Sequence, residues 1–318
     1  MKQLLLVFAL TFAHAGAHAQ AWPAKPLRAI VPVGAGSSTD IVHRLVLEQL
    51  SISLGQRIIV ENRTGAGGTI GSAVVAAAEP DGYTLLANGS AHTIVPALYK
   101  SLPYDAARDF VPVVPIGISP SVLVVSPTKE FGTAQALVKS AKARPGALNF
   151  SSVGIGTATH LSAERFASSA GIDVVHVPFK GGAEAMFEVI AGRIDFFFGP
   201  VALVLPHIRE GKLRALAVNG SSRSATLPDV PTLHEAGYSD AEYPIWFGLF
   251  APARTPGPII EKLSQETSKV LQSPVLREKL SAIGVDAMVM TPQEFKAHVE
   301  KEIALNAALA KKAGLKAE

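Results

Sequence analysis

The chain has 318 residues, 48% of them hydrophobic, with a formal net charge of +3 and no cysteine. The length predicts two compact domains, and the lack of cysteine excludes disulfides, thiolate metal sites and a cysteine nucleophile. The small excess of basic residues does not form a basic patch, so nucleic acid is not an expected partner.

Residues 1–19 have the pattern of a secretory signal peptide. Lys2 gives a basic start, residues 4–13 form a short apolar core, and Ala17-His18-Ala19 is an A-x-A cleavage site. The apolar core is too short to span a bilayer, and no later run of eighteen apolar residues occurs. Because no cysteine is available for lipid attachment, we expect an exported, soluble protein that is neither anchored to nor embedded in a membrane.

Apolar, β-rich segments alternate with helix-length segments along the rest of the chain. Strands are predicted at residues 27–33, 57–61, 83–87, 122–125, 148–150, 174–177, 194–198 and 213–218. This alternation predicts βαβ units with mainly parallel sheets. Near the C-terminus, a helix is expected to begin at Pro292, because Thr291 and Glu294 form a capping box around its first turn.

Two stretches, residues 120–127 and 246–252, are predicted to cross between two α/β lobes. The first lobe would comprise residues 20–122 and 246–318, and the second lobe residues 123–245. Small ligands bind preferentially at the interface between domains. The sequence therefore predicts a ligand cleft between the lobes.

Three predicted strand-to-helix turns share a composition rich in glycine and hydroxyl groups. They cover residues 34–40, 151–160 and 179–183. Glycine lets backbone N–H groups approach a ligand, and the start of a helix presents unpaired donors and a partial positive charge. Any one of these turns could be only a helix cap and a tight turn. Three of them, at the carboxyl ends of strands in two lobes, favour an anion site.

A nucleotide site is not expected. Residues 65–71 (GAGGTIG) are similar to a dinucleotide-binding loop, but the strand after them is followed by Asn88 and Gly89 instead of an acidic residue. The chain also lacks a G-x-x-x-x-G-K-[ST] motif. Its histidines show no metal-ligand spacing, so we expect neither a cofactor nor a metal.

Catalytic machinery is also hard to identify. Ser90 lies near His92 in sequence but lacks the G-x-S-x-G elbow, so an exported serine hydrolase is kept only as the alternative. Asp40 is expected to orient its own turn, and no second acid pairs with it for acid–base chemistry. His160, at the start of a helix, is more typical of a structural residue. Binding is therefore the stronger inference.

Short motifs through nearly the whole mature chain follow the order of a known family. They are WPAKP at 22–26, IVP at 30–32, VENRTGAGGTIG at 60–71, LPYD at 102–105, DFVPV at 109–113, GIGTATHL at 154–161, HVPFKG at 176–181, GKLRALAV at 211–218 and LPDVPT at 227–232. With these motifs the chain resembles the substrate-binding proteins of tripartite tricarboxylate transporters, of the Bordetella uptake gene type.

The resemblance implies a periplasmic, two-lobed α/β binding protein with a type II venus-flytrap fold, a mainly parallel sheet in each lobe and two crossing strands. It also implies a small carboxylate ligand, which could be a di- or tricarboxylate, an acidic amino acid or an aromatic acid. The implied partner is a two-component membrane permease, and a sensor protein to which the ligand is presented is the alternative.

Together, the turns and the resemblance predict a set of ligand-binding residues. Phe196 and Phe197 are expected in the core, whereas strand alternation leaves one face of residues 196–198 able to reach the cleft. The predicted ligand-binding residues are Val33, Gly34, Gly36, Ser37, Ser38, Asp40, Ser90, Ser152, Gly154, Thr157, Ala158, Thr159, Lys180, Gly181, Gly182, Ala183, Phe198 and Gly199. The first and third turns and the strand around Phe198 depart from the family pattern, so the identity of the ligand does not carry over.

Overall fold

Helices and strands alternate along the chain in the computed structural model, which describes residues 22–312 apart from positions 221, 240 and 244. The predicted signal peptide lies outside the described residues. The strands are β1 (Leu27–Val31), β2 (Ile58–Asn62), β3 (Thr84–Gly89), β4 (Phe110–Ser119), β5 (Ser121–Val125), β6 (Asn149–Ser152), β7 (Val175–Pro178), β8 (Phe196–Pro200), β9 (Arg214–Asn219), β10 (Ile245–Pro252) and β11 (Asp286–Ala287). The helices are α1 (Ser38–Leu54), α2 (Thr69–Ala76), α3 (Ala91–Leu98), α4 (Ala134–Ala143), α5 (Ala158–Ala170), α6 (Gly182–Ile190), α7 (Val201–Arg209), α8 (Gly257–Leu271), α9 (Pro274–Ala282) and α10 (Pro292–Lys312). Within the described residues, none of these helices is both long enough and apolar enough to cross a membrane.

The strands form two separate sheets. One has six strands in the order β11-β4-β10-β3-β1-β2, and the other has five in the order β7-β6-β8-β5-β9. Strands joined through helices run parallel: β1 with β2 and β3, and β6 with β7 and β8. Antiparallel pairs are also present: β10 pairs with β3 and β4, and β5 pairs with β8 and β9. Each sheet is therefore mixed. Each sheet with its helices forms one lobe, and the six-stranded one is called the first lobe below.

The chain passes between the sheets twice. Strand β4 ends at Ser119 and β5 begins at Ser121, so only Pro120 separates strands of different sheets. The return lies between Asn219, at the end of β9, and Ile245, at the start of β10. Strand β5 begins two residues before the boundary predicted from the sequence. The division of the lobes at 122/123 and 245/246 stays a prediction.

Both faces of each sheet are covered by apolar side chains, as buried parallel strands require. In β1, Ala29 and Val31 pack in one cluster with residues of α1, while Ile30 packs in another on the opposite face. In β8, Phe196 and Phe198 share one cluster and Phe197 lies in a second. Helices therefore cover the central strands of both sheets, whereas the edge strands β2 and β7 are partly exposed.

The helix predicted to begin at Pro292 is confirmed as α10. The Glu294 N–H donates to the Thr291 hydroxyl at 3.2 Å, and the Glu294 carboxylate accepts from the Thr291 N–H at 2.8 Å. These two reciprocal bonds satisfy donors that the first helical turn would otherwise leave unpaired.

Helix α10 also reaches the return passage between the lobes. The Tyr243 hydroxyl donates to the Asn306 side-chain oxygen at 2.8 Å, and the Asn306 amide donates to Thr93 of α3 at 3.0 Å. The Tyr243 N–H donates to the side chain of Asn219, the last residue of β9, at 2.6 Å. Tyr243 is thus hydrogen-bonded to both lobes.

Candidate functional site

The turn after β1 is held in place by a buried carboxylate. Asp40, in the first turn of α1, is only 2% exposed. Its carboxylate accepts hydrogen bonds from the Gly36 N–H at 2.9 Å, the Arg44 Nε–H at 2.9 Å and the Asn62 amide at 2.8 Å. The Asn62 amide also donates to the Val33 carbonyl at 3.0 Å. Because its carboxylate is used inside the turn, the geometry argues against the predicted ligand contact of Asp40 and supports an orienting role.

The same contacts keep Asp40 ionised. Burial on its own would raise the pKa of this carboxyl group, because it disfavours the charged form. The hydrogen bonds from Arg44, Gly36 and Asn62 outweigh burial, so the pKa lies below its ordinary value of 3.8. The turn therefore keeps its internal anion at neutral and mildly acidic pH.

Unpaired donors remain at the start of α1. Ser37 is the N-cap, and its Oγ accepts from the N–H of the third helical residue at 3.3 Å. Within the described chain, the N–H groups of Ser38 and Thr39 and the Ser38 hydroxyl have no hydrogen-bond partner. A Cβ atom added at Gly34 or Gly36 would meet no atom within 4 Å. Open space and unpaired donors therefore occur together in this turn.

Ser90 follows β3 and is hydrogen-bonded to Trp246 of β10. Its Oγ accepts from the Trp246 N–H at 2.9 Å, and its own N–H donates to the Trp246 carbonyl at 3.1 Å. The His92 Nε2 contacts the Ala106 carbonyl at 2.9 Å instead of Ser90. A serine nucleophile needs a base within hydrogen-bond reach, so this arrangement argues against a hydrolase built on Ser90.

The second turn, after β6, is closed by its own hydroxyl groups. The Thr157 hydroxyl donates to the Gly154 carbonyl at 2.8 Å and lies 3.0 Å from the Thr159 hydroxyl, which accepts from the Val153 N–H at 3.1 Å. The Ser152 Oγ accepts from the Gly154 N–H at 3.0 Å. Since each threonine hydroxyl has one proton, and both protons are used here, the predicted side-chain donation to a ligand by Thr157 and Thr159 is not supported.

The second turn also has backbone N–H groups that are available to an anion in place of the hydroxyl groups. Helix α5 begins at Ala158, and within the described residues the N–H groups of Ala158 and Thr159 have no acceptor. They are two of the first-turn donors that a helix cannot pair internally. The second turn can therefore offer N–H groups to an anion, although its hydroxyl groups are occupied.

The third turn lies beside the second. The Phe179 N–H donates to the Ser152 carbonyl at 2.9 Å, and α6 begins at Gly182 after the N-cap Gly181. A Cβ at Gly181 would meet no atom within 4 Å, whereas one at Gly182 would press on the side chain of Leu203. Lys180 and Ala183 are exposed. This turn therefore places helix-start donors and one exposed cation next to the second turn.

Two predicted contacts in β8 are not supported by the structure. The Phe198 side chain is fully buried and packs against Phe166, with the ring centroids 5.6 Å apart. Both faces of β8 are covered, so alternation does not bring the Phe198 side chain to a cleft. Gly199 is also buried, and a Cβ there would collide with Val204 and Phe197. Close packing therefore explains the glycine without a ligand.

Sheet order groups the remaining predicted residues at two edges. Strand β1 lies beside β3 and parallel to it, so the first turn and Ser90 leave the same edge of the first sheet. Strand β6 lies beside β7, so the second and third turns leave one edge of the second sheet. Gly156 of the second turn packs against Leu98 of α3, which belongs to the first lobe. The second turn therefore contacts the lobe that carries the first turn.

Two residues of this region were not identified from the sequence. Asn62 fixes the first turn, and its position follows from the parallel register that places it opposite Val31. His176 contacts Ser152 of the second turn at 2.6 Å. Both residues belong to recognised motifs, VENRTGAGGTIG and HVPFKG, but spacing alone gives no sign of their partners.

A cavity of about 120 Å³ in the first lobe is lined by other residues, among them Val114, Leu271, Met288 and Met290. None of the three turns contributes to it, so it is not the predicted site. In the part of the chain that the structure describes, no group of three or more His, Asp or Glu residues is placed to hold a metal ion.

Comparison with known proteins identifies relatives over most of the chain. The family described as "Tripartite tricarboxylate transporter family receptor" matches residues 42–315. The periplasmic binding protein BugD is 32% identical, with a TM-score of 0.82 over 93% of this chain and 100% of its own.

Two similar structures contain carboxylates. Rpa4515 of R. palustris, solved with adipate, is 32% identical, with a TM-score of 0.84 over 93% of this chain and 99% of its own. MatC (Rpa3494) from Rhodopseudomonas palustris, with bound malate, is 30% identical, with a TM-score of 0.81 over 91% of this chain and 99% of its own. The two-lobed fold is thus shared with solute-binding proteins.

Proposed function

The chain belongs to the tripartite tricarboxylate transporter receptor family, and from this premise we propose that it is a periplasmic solute-binding protein. It captures a small carboxylate in a cleft between its lobes and delivers it to a membrane permease. The ligand is a di- or tricarboxylate, an acidic amino acid or an aromatic acid. Adipate and malate in two relatives support this class of ligand.

The observation that carries the proposal is the pairing of open space with unpaired donors at helix starts. The first turn offers the N–H groups of Ser38 and Thr39 and the Ser38 hydroxyl, and the second offers the N–H group of Ala158. Helix starts stabilise anions through these donors and through the helix dipole. The Ser90 Oγ accepts from the Trp246 N–H and His92 contacts the Ala106 carbonyl instead of Ser90, which supports binding without chemical change of the ligand.

A thermal-shift screen of the intact protein tests the function. The panel contains adipate, malate, citrate, glutamate and benzoate, with the matching alcohols and amides as uncharged controls. A ligand at a hundred times its Kd stabilises the folded state by about 2.7 kcal/mol, so at least one carboxylate should raise Tm while its uncharged control does not. A flat response across a broad carboxylate panel would contradict the proposal.

Ser38→Ala is expected to weaken binding of the carboxylate that the screen identifies by roughly ten- to a hundredfold. Among the described residues the Ser38 hydroxyl has no partner, so its loss removes a hydrogen bond to the charged ligand, which contributes about 1.5–3 kcal/mol. Calorimetry gives the affinity. Ser168→Ala, at an exposed position of α5, is the matched control and should leave the affinity unchanged. If Ser38→Ala and Ser168→Ala bound the ligand with equal affinity, the Ser38 hydroxyl would not contribute to ligand binding.

Binding is expected to close the lobes. The donors are divided between two lobes, so one carboxylate can reach both sets only when the lobes approach, and this differential affinity shifts the population. Rotation would occur at Pro120 and between Asn219 and Ile245, because pairing on both sides fixes β5 and β10 within their sheets. Small-angle scattering should give a smaller radius of gyration with saturating ligand. Identical scattering curves would indicate a rigid, preformed pocket.

A further inference from the structure

Two histidines stack beneath the second turn and have no role in the proposed function. The ring centroids of His160 in α5 and His176 in β7 are 3.8 Å apart, and the ring planes meet at 13°. Phe150 of β6 stacks against both rings, at 6.0 Å and 4.9 Å. His160 is 2% exposed and His176 is half-buried. The pair is therefore largely shielded from water and packed on an apolar ring.

His160 holds the second turn through its Nδ1 atom. The Gly156 N–H donates to this nitrogen at 3.0 Å, which requires an unprotonated Nδ1. The remaining proton of the neutral ring is then on Nε2, which faces the Glu164 carboxylate at 3.6 Å. A second proton on His160 would occupy Nδ1. The resulting Nδ1–H would face the Gly156 N–H, and the hydrogen bond between them would be lost.

His176 holds the same turn from the edge strand β7. Its Nε2 lies 2.6 Å from the Ser152 Oγ, which in turn accepts from the Gly154 N–H at 3.0 Å. The two histidines thus contact the turn at both of its glycines, one directly and one through Ser152. The free backbone donors at the start of α5 follow immediately after these contacts.

Protonation of both rings is unfavourable in this arrangement. Two imidazolium rings 3.8 Å apart would repel each other. Burial, and then the proximity of His160, lower the pKa of His176 from 6.5 to about 4. Glu164 of α5 is the carboxylate that faces the pair, while β6 contributes Phe150 and Ser152, which do not titrate.

We propose that His160 and His176 are positioning residues of the second turn, and that protonation of the pair releases the turn and weakens carboxylate binding in acid. The statement about binding rests on the proposed function, whereas the statement about the turn does not. The ordered turn requires an unprotonated Nδ1 on His160, and it disfavours a charge on His176 because that ring is half-buried and stacked on a second imidazole. It is therefore fully formed above the ordinary histidine pKa of 6.5 and is lost progressively as the pH falls toward 4. General electrostatics predicts the opposite trend, because the protein becomes more positive in acid.

Hydrogen–deuterium exchange of the intact protein tests the proposal without any ligand. Peptides covering residues 150–160 are followed at pH 7.5, 6.0 and 5.0, with rates normalised to intrinsic exchange. Because pH 5.0 is 1.5 units below 6.5, protection should fall about thirtyfold between pH 7.5 and 5.0. Peptides covering residues 134–143 of α4, in the same lobe, are the internal control and should not change, because they contain no histidine or carboxylate.

Two variants separate titration from packing. His176→Phe keeps a stacking ring but cannot be protonated, and His160→Gln keeps an acceptor for Gly156 without titrating. His176→Phe should reduce the fall in protection to about threefold or less, and His160→Gln should reduce it to a smaller extent, because burial also lowers the pKa of His176. An unchanged thirtyfold fall in both variants, or constant protection in the unaltered protein, would overturn the proposal. If a variant does not fold, NMR of the unaltered protein decides: titration of His176 near 6.5 without a change in the Gly154 and Gly156 amides would refute it.

Adipate serves as the binding probe. Its Kd should increase from pH 7.5 to 4.0 more in the unaltered protein than in His176→Phe, because protonation of adipate itself is common to both and cancels in the ratio. Equal increases would overturn the link to binding. If adipate binds at no pH, the proposed function loses this ligand, and the exchange experiment still decides whether the histidines position the turn.

Discussion

Asp40→Asn is expected to lower the free energy of unfolding by about 3 kcal/mol and to weaken carboxylate binding by at least about tenfold. The carboxylate accepts hydrogen bonds from Gly36, Arg44 and Asn62. In the asparagine variant, the NH₂ group would face at least one of these donors and could not accept a hydrogen bond from it. Buried donors left without acceptors cost about 1–3 kcal/mol each. Without the central acceptor, the first turn loses the geometry that presents its free donors. Urea denaturation and calorimetry measure the two effects.

The matched control is Asp229→Asn at an exposed position, where no change in stability or affinity is expected. Wild-type affinity in Asp40→Asn would show that the turn does not depend on its internal carboxylate. The pH dependence supplies a second check. Since the pKa of Asp40 is below 3.8, its contribution to stability is present above that pH and is lost as the pH falls through the lowered value. This range lies below the one expected for the histidine pair.

Phe198→Ala is expected to destabilise the protein by about 3–5 kcal/mol, while the folded fraction binds carboxylate with unchanged affinity. The Phe198 ring is fully buried against Phe166 and Phe196, so truncation removes apolar contacts and leaves a cavity in the second lobe. Thermal and urea denaturation give the change in stability, and calorimetry below the new Tm gives the affinity.

Phe187→Ala is the control for this variant, because the Phe187 side chain is 52% exposed and its loss should cost less than about 1 kcal/mol. The opposite result is equally informative. If Phe198→Ala kept its stability and lost affinity, the side chain would line the ligand site, as the alternation of β8 had predicted from the sequence.

Features with local causes could be predicted from the sequence. The capping box of Thr291 and Glu294 fixed the start of α10, because both hydrogen bonds join residues three positions apart. The first turn was identified for a similar reason, since Gly36, Ser37 and Asp40 bond to one another within four residues. The motifs then identified the family and, with it, the two-lobed fold.

The sequence did not show which hydroxyl groups are available to a ligand. Ser38 and Thr157 stand at similar glycine turns, yet the first is unpaired and the second donates to Gly154. The difference depends on the backbone path of each turn, which places one hydroxyl near a carbonyl and leaves the other in open space. Both turns combine glycines with hydroxyl residues, so this shared composition does not distinguish the two backbone paths.

Pairs distant in sequence were decided by tertiary structure alone. Asn62 reaches Asp40 because the parallel register of β1 and β2 sets Asn62 opposite Val31. His160 stacks on His176 because α5 packs on β8 and β6, and β7 pairs with β6. A linear pattern reports which residues share a face of one element. Which faces of different elements meet is fixed only when strand pairing and apolar burial bring those elements together.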